Sequence, residues 1–273
     1  FSFSIIKCRI FRRKLHNYIK KKMGKVLGFR KESYNFLENY LNSFSPTGGE
    51  TSGQKVWLDY VLEYADHTFT DVYGTAVAVV NPNAEYKVVI EAHADEIAWR
   101  VFGINAQGYI SVGRVGGSDV QIAPSKRVNI FTKTGIVKGV FGFPAIHVRK
   151  GDTKIEESTL HIDIGAATKE EAETMGVRIG DIIVFDEYMT TLNNTFITGR
   201  ALDNRIGGFM IAEVLRKLKK NDITLPFGLY VVNAVQEEIG LRGAQMIAAN
   251  IKPNVAIITD VCHDTSTPMI DKK

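Results

Sequence analysis

The sequence predicts an α/β fold with a small β-rich domain inserted in its middle. Three observations carry that reading. Helical patterns alternate with short apolar strands over the first hundred residues and again after residue 193. Between about Ile97 and Leu192 the texture changes to short β-rich runs broken by glycines. Three of the apolar strands end in residue types that bind metals.

In chain order, "SYNFLENYL" (Ser33 to Leu41) places apolar residues at helical spacing, and "SFSPTGGE" ends the pattern with Pro46, Gly48 and Gly49. "SGQKVWLDYVLEYA" resumes it, with Val56, Leu58, Tyr60, Val61 and Tyr64 as the expected buried stripe. "KVVIEAHADEIAW" reads as a short buried strand running into polar residues. The middle region holds "YISVGRVGG", "KRVNIFTKTGIVKGVFGF" and "DIIVFDEYMTTL", with one helix at "TKEEAETMG". That helix opens with Thr168 and Glu171 in capping-box spacing and closes at Gly176. "ALDNRIGGFMIAEVLRKLKK" is an amphipathic helix, with Leu202, Ile206, Phe209, Met210, Val214 and Leu218 on one side. Its Lys217, Lys219 and Lys220 favour the C-terminal end of the helix dipole. Two further buried strands follow, "FGLYVVNAVQ" and "NVAIITD". The alternation of helix and strand predicts a largely parallel sheet.

Composition bounds the function classes. The chain has 273 residues, of which 45% are hydrophobic and 23% charged, a globular balance. No apolar run approaches the roughly 20 residues needed to span a bilayer, so no membrane partner is expected. Two cysteines, Cys8 and Cys262, argue against a disulfide framework and for a reducing, cytoplasmic setting. The net charge of +4 is unevenly placed: residues 1–22 hold eight basic and no acidic residues. Subtracting eight from +4 leaves −4 for the remainder, so no nucleic-acid partner is expected. The leader reads as a nucleic-acid arm, a targeting peptide, or sequence outside the folded protein; the third is favoured, with Met23 as the natural start.

The strand ends carry the chemistry. "VVIEAHAD" ends at His93 and Asp95, "VVNAVQEE" at Glu237 and Glu238, and "VAIITD" at Asp260. In open parallel sheets ligands gather beyond the carboxyl ends of strands, so these residues are expected to share a cleft. Asp203, at the start of the amphipathic helix, adds a carboxylate. One imidazole among carboxylates suits a divalent ion, zinc first, with cobalt or manganese as alternatives. Singly, each residue has a plainer role: His93 as a hydrogen-bonded structural histidine, Asp203 as a first-turn acid, Asp260 as a turn opener. Adjacent Glu237 and Glu238 are harder to dismiss, because carboxylates closing so apolar a run need compensation if they stay covered. No GxSxG elbow or Walker A loop appears. His147 and His161 fall in the β-rich insert and read as structural.

From about residue 25 onward the chain resembles the di-zinc aminopeptidases that assemble into tetrahedral particles, metallopeptidase family forty-two. That family includes glutamyl aminopeptidase and proteins labelled cellulase M or endoglucanase. The resemblance rests on "SPTGGE", "EAHADEIAW", "HIDIGA" followed by "GVRIGD", "ITGRALDNRIGG", "VNAVQEEIGLRGA" and "IITDV". It implies a phosphorylase/hydrolase-like zinc-exopeptidase core over 23–96 and 193–273, and a small β-barrel dimerisation domain over 97–192. It also implies peptide substrates and a homo-oligomer, from a dimer up to a dodecamer.

Carried over by motif, the resemblance makes His93 and Asp260 ligands of one metal, Asp203 the bridge between two, and Glu238 a ligand of the second. Glu237 becomes the general base and Asp95 the partner orienting the His93 ring. Two divalent ions per subunit would polarise the scissile carbonyl and activate a water. The family has a further His beyond the Asp260 motif, after a glycine-rich substrate loop, and this chain has neither. The expectation is therefore a chain short at its C-terminus, with a weak second metal site and little activity. Two rival readings accompany the peptidase: a glycoside hydrolase, from the old label alone, and an inactive oligomeric homologue.

Overall fold

A computed structural model describes residues 25–26, 28–149 and 154–271. The basic leader, 1–22, and the proposed start at Met23 lie outside the described residues. Before Asp95 the elements are β1 (Lys25–Val26), β2 (Phe29–Arg30), α1 (Lys31–Asn42), α2 (Thr51–Val61), β3 (His67–Thr70), β4 (Ala76–Val80) and β5 (Lys87–His93). Then come β6 (Ala98–Ile104), β7 (Ile110–Val115), β8 (Arg127–Thr132), β9 (Gly135–Gly142), β10 (His161–Asp163), α3 (Lys169–Thr174) and β11 (Ile182–Phe185). The chain continues through β12 (Thr190–Leu192), β13 (Phe196–Thr198), α4 (Leu202–Lys220), β14 (Gly228–Ala234), α5 (Arg242–Ile251) and β15 (Val255–Ile258).

Two compact units result, one from Glu96–Glu187 and the other from the chain on either side of it. In the first, six strands close into an antiparallel barrel in the order β10-β7-β6-β11-β8-β9. Its interior is filled by Trp99, Val101, Ile110, Val128, Ile130, Phe141, Ile162 and Ile183, the inward positions of a period-two pattern. Thr168 caps α3 by accepting the Glu171 N–H, and Gly176 (φ +103°) takes the left-handed turn after it. The turn residue Gly108 (φ +81°) comes so close to the Ala166 carbonyl that a Cβ would lie 2.6 Å from its oxygen. Residues 188–192, which by sequence group with the insert, belong to the other unit. Met189 donates its N–H to Asn42 Oδ1 and packs against that unit's core.

The flanking unit is built on a five-stranded sheet, β15-β5-β14-β4-β3. The expected largely parallel sheet is mixed in its pairings: β15, β5 and β14 run parallel, while β4 runs antiparallel to both of its neighbours, β14 and β3. The cause is local. Asp71 Oδ1 accepts the N–H groups of Tyr73 and Thr75, and the tight turn so formed makes β3 and β4 a hairpin. Alternation along β4 sends Ala76 and Ala78 to the face covered by α1, α2 and α4, and Val77 and Val79 to the face covered by α5. Small residues sit under the aromatic-rich layer of Phe36, Tyr40, Trp57 and Phe209, which fills the space they leave.

Two helix faces differ from expectation. On α2 the centre of the buried stripe is Trp57, whose Nε1–H donates to the Gly208 carbonyl. Val56, Leu58 and Tyr60 are only partly buried. On α4, Met210 and Val214 are exposed, and the buried face runs through Gly207, Gly208, Ala212, Leu215 and Arg216. Asp203 and Asn204 have non-helical dihedrals, so the regular helix begins after them. Glycine then governs which side meets the sheet: a Cβ on Gly208 would lie 2.9 Å from Oδ1 of Asn233 on β14 and 2.8 Å from Tyr40 Oη on α1. Close approach at small residues outweighs the apolar count. Among the described residues no helix is long and apolar enough to cross a membrane.

Candidate metal centre

The three parallel strands β5, β14 and β15 end at the same edge of the sheet, and the residues that follow them meet there. His93, the last residue of β5, is opposite Ala234 at the end of β14. Beyond β14 the chain takes a left-handed conformation at Gln236 (φ +56°) and delivers Glu237 and Glu238. Beyond β15, Thr259 donates its N–H and hydroxyl to the Glu91 carbonyl, which leaves Asp260 next in line. Asp203 arrives from another direction, extended (φ −82°, ψ 113°) at the head of α4. Asn204 Nδ2 donates to the Thr259 carbonyl and ties that head to the Asp260 segment.

His93 is the hub. Its Nε2 lies 3.2 Å from Asp203 Oδ1, 3.7 Å from Glu237 Oε2 and 4.0 Å from Asp260 Oδ1. Two groupings with ligand atoms all within 4.8 Å of one another share it: His93 with Asp203 and Asp260, and His93 with Glu237 and Glu238. On the other side of the ring, Nδ1 is 3.1 Å from the Asp95 carbonyl and 3.4 Å from its Oδ1. Asp95 is fully buried and also accepts the Thr47 hydroxyl and the N–H groups of Glu237 and Glu238. All six residues singled out in the sequence come together.

The electrostatics fit a cation. Burial pushes the Glu238 carboxyl up to about 7, with Asp203 adding to it, and burial likewise raises Glu237. Burial disfavours a charged His93, but hydrogen bonds to Asp203 and Asp95 outweigh it and lift the imidazole to about 11. Burial would raise Asp95 too, yet the His93 contact and the backbone N–H donors hold it below its ordinary range. Crowded carboxylates without a cation retain protons, and a divalent ion would replace them. One imidazole with carboxylate donors matches zinc or a neighbouring first-row ion.

Three residues of the site carry no mark in the sequence that singles them out. Glu91, 6% exposed, precedes His93 by two positions on the same strand face. Its carboxyl is pushed up to about 7, by burial first and then by Glu237 and Asp260. A charge inside "VVIEAH", in phase with the histidine, is the one available signal. Thr47 and Glu50 lie in "SPTGGE", which reads as a helix terminator and as one of the resemblance motifs, but neither reading gives these two residues a role. Glu50 Oε1 accepts the N–H groups of Gly48 and Gln236. The chain turns out of β14 at Gln236, ahead of both glutamates, and Gly240 (φ +120°) is a second turn point.

Comparison with known proteins places this geometry. Residues 74–273 match the family model described as M42 glutamyl aminopeptidase. The chain is 37% identical over 239 residues to the putative aminopeptidase FrvX of Escherichia coli K12, covering 86% of this chain and 66% of that one. Among solved structures it resembles a TET aminopeptidase from Thaumarchaeota archaeon SCGC AB-539-E09, with a TM-score of 0.84 and 31% identity over 87% of this chain and 68% of that one. It also resembles a TET1 peptidase of Pyrococcus horikoshii, described as assembling into a tetrahedron or a large octahedral shell. That match has a TM-score of 0.76 and 27% identity over 88% of this chain and 72% of that one. The chain thus spans about two thirds of the length of the relatives it matches. With the family model covering most of its residues and the fold and motifs agreeing, the chain belongs to the M42 glutamyl aminopeptidase family.

Proposed function

We propose that this chain is the metal-dependent catalytic part of an aminopeptidase that releases N-terminal residues from peptides. The observation that carries the reading is the convergence of His93, Asp203, Glu237, Glu238 and Asp260 beyond the carboxyl ends of β5, β14 and β15. His93 and Asp260 would hold one divalent ion, Glu238 a second, and Asp203 both, with zinc the favoured metal. When bound, such ions polarise the scissile carbonyl and acidify a water.

The protein's own residues then have separate tasks. Asp95, by facing His93 Nδ1, fixes the ring so that Nε2 points at the carboxylates. Glu237, partly exposed and raised by burial, is suited to take the proton of the attacking water and return it to the leaving amine. The barrel of β6–β11 is assigned as a contact domain of a homo-oligomer, a dimer building towards a dodecamer. Its exposed Phe102, Ile146 and Ile179 are apolar surface that such contacts would cover. Two cysteines in 273 residues fit a reducing cytoplasm.

The test is a metal-reconstituted assay on a panel of aminoacyl anilides, run beside cellulose-derived oligosaccharides and repeated with a chelator. The reading requires anilide hydrolysis that the chelator abolishes. Chelator-insensitive turnover, or turnover of the saccharides alone, overturns it.

A further inference from the structure

Three consecutive peptide N–H groups, those of Gln236, Glu237 and Glu238, are each held by a buried carboxylate. Asp95 takes the second and third, at 3.0 Å and 3.1 Å. Glu50 takes the first, its Oε1 3.1 Å from Gln236 N and 2.8 Å from Gly48 N. Glu50 lies 186 residues away in sequence, is 6% exposed, and precedes α2 without using its side chain to cap that helix. Burying a carboxylate is costly unless it is hydrogen-bonded, and here it spans two loops that no strand joins. Gln236 is also the residue whose left-handed dihedral turns the chain out of β14. That conformation is unfavourable for a side chain larger than glycine and persists only where its surroundings enforce it.

The geometry points to Glu50 as a positioning residue: by holding the Gln236 N–H it maintains the turn that aims Glu237 into the site. This rests on the reading of Glu237 as the proton-transferring group. The hydrogen bonds of the Glu50 carboxylate go to the N–H groups of Gly48 and Gln236, neither of them an assigned metal ligand. Its effect is through the backbone, so an acceptor oxygen is what the position requires. Glutamine can supply one and alanine cannot.

The experiment compares Glu50→Ala and Glu50→Gln with the parent chain, all metal-loaded, in three measurements: kcat and KM on an aminoacyl anilide, bound metal per chain, and amide hydrogen exchange across residues 234–240. For Glu50→Ala the expected result is a fall in kcat of about 10- to 100-fold, as misplacing a reacting group by about 1 Å produces. KM should stay within about threefold and bound metal should be unchanged, while exchange at Gln236 to Glu238 rises at least about tenfold as the turn opens. Glu50→Gln should recover kcat to within about fivefold of the parent, since the acceptor is restored. Unchanged kcat in Glu50→Ala, loss of metal in step with kcat, or equal damage from both substitutions overturns the assignment. So does unaltered exchange at residues 236–238. A parent chain that holds both metal ions yet hydrolyses no peptide refutes the aminopeptidase reading instead, and the exchange measurement still decides whether Glu50 holds the turn.

Discussion

Asp95 Oδ1 accepts the backbone N–H of Glu237 at 3.0 Å, so one fully buried carboxylate holds both the ring of His93 and the segment carrying both glutamates. Replacing it therefore disturbs two sides of the site together. Asp95→Ala is expected to weaken metal binding by about 10- to 100-fold, the usual cost of losing the partner behind a metal-binding histidine. Stability should also fall by about 2 to 4 kcal/mol, since two N–H donors and the Thr47 hydroxyl lose their acceptor. Metal titration and denaturant unfolding measure the two. Parent-like metal affinity in the folded variant refutes this role for Asp95.

Glu237→Gln keeps the shape of the side chain and removes its ability to take a proton. The expected outcome is a kcat lower by about 10²- to 10⁴-fold with bound metal retained. Steady-state kinetics with metal analysis checks this. Unaltered turnover assigns the proton transfer elsewhere.

Metal affinity should rise with pH. At neutral pH in the metal-free site Glu238, pushed up to about 7, is partly protonated and His93, lifted to about 11, holds its proton; each must be free of its proton to serve as a ligand. Raising the pH removes that competition, so the apparent affinity should increase from about pH 6 to about pH 8 with proton release on binding. Calorimetry in buffers of different ionisation enthalpy reads the protons directly. Affinity that is flat or falls over that range contradicts a protonated Glu238 and His93 in the metal-free site.

Away from the site, Glu213 on α4 accepts hydrogen bonds from the Ser33 hydroxyl of α1, the Tyr60 hydroxyl of α2 and the Arg216 guanidinium. Burial raises its carboxyl, but Arg216 and Tyr60 outweigh that and hold it below its ordinary range. A carboxyl depressed in the folded state stabilises above its unfolded pKa, about 4.3, and that contribution disappears as the pH falls through the folded value. Glu213→Ala should cost about 3 kcal/mol at pH 7, because Arg216 remains buried without its partner. The difference from the parent should shrink below about pH 4. Urea titrations at neutral pH and at about pH 3.5 test both statements.

Gly208 brings α4 against Tyr40 and Asn233, which hydrogen-bond to each other. Gly208→Val would force a methyl-bearing Cβ into that contact and should lower stability by about 1 to 3 kcal/mol. Thermal unfolding by circular dichroism measures it, and an unchanged midpoint would mean that the helix moves away freely.

Much of the site is legible in the sequence because strand chemistry is local. The apolar runs at 87–93, 228–234 and 255–258 mark buried strands, and in a parallel arrangement their ends must share one edge. That alone brings His93, Glu237, Glu238 and Asp260 together; Asp203 is marked by its place at the head of a helix. The sequence determined which residues carry charge where burial would forbid it.

Tertiary structure decided how those charges are tolerated. Asp95 meets the N–H of Glu237 across 142 residues, and Glu50 meets that of Gln236 across 186. Neither pairing leaves a periodic trace, because a side chain bonded to a distant backbone group can sit in any loop that passes close by. The buried face of α4 departs from its apolar pattern for a related reason: glycine and alanine determine how close two elements come, and close packing rewards smallness where hydropathy counts only size. Residue type is fixed by the chain, whereas distance belongs to the fold, and the chemistry of this site needs both.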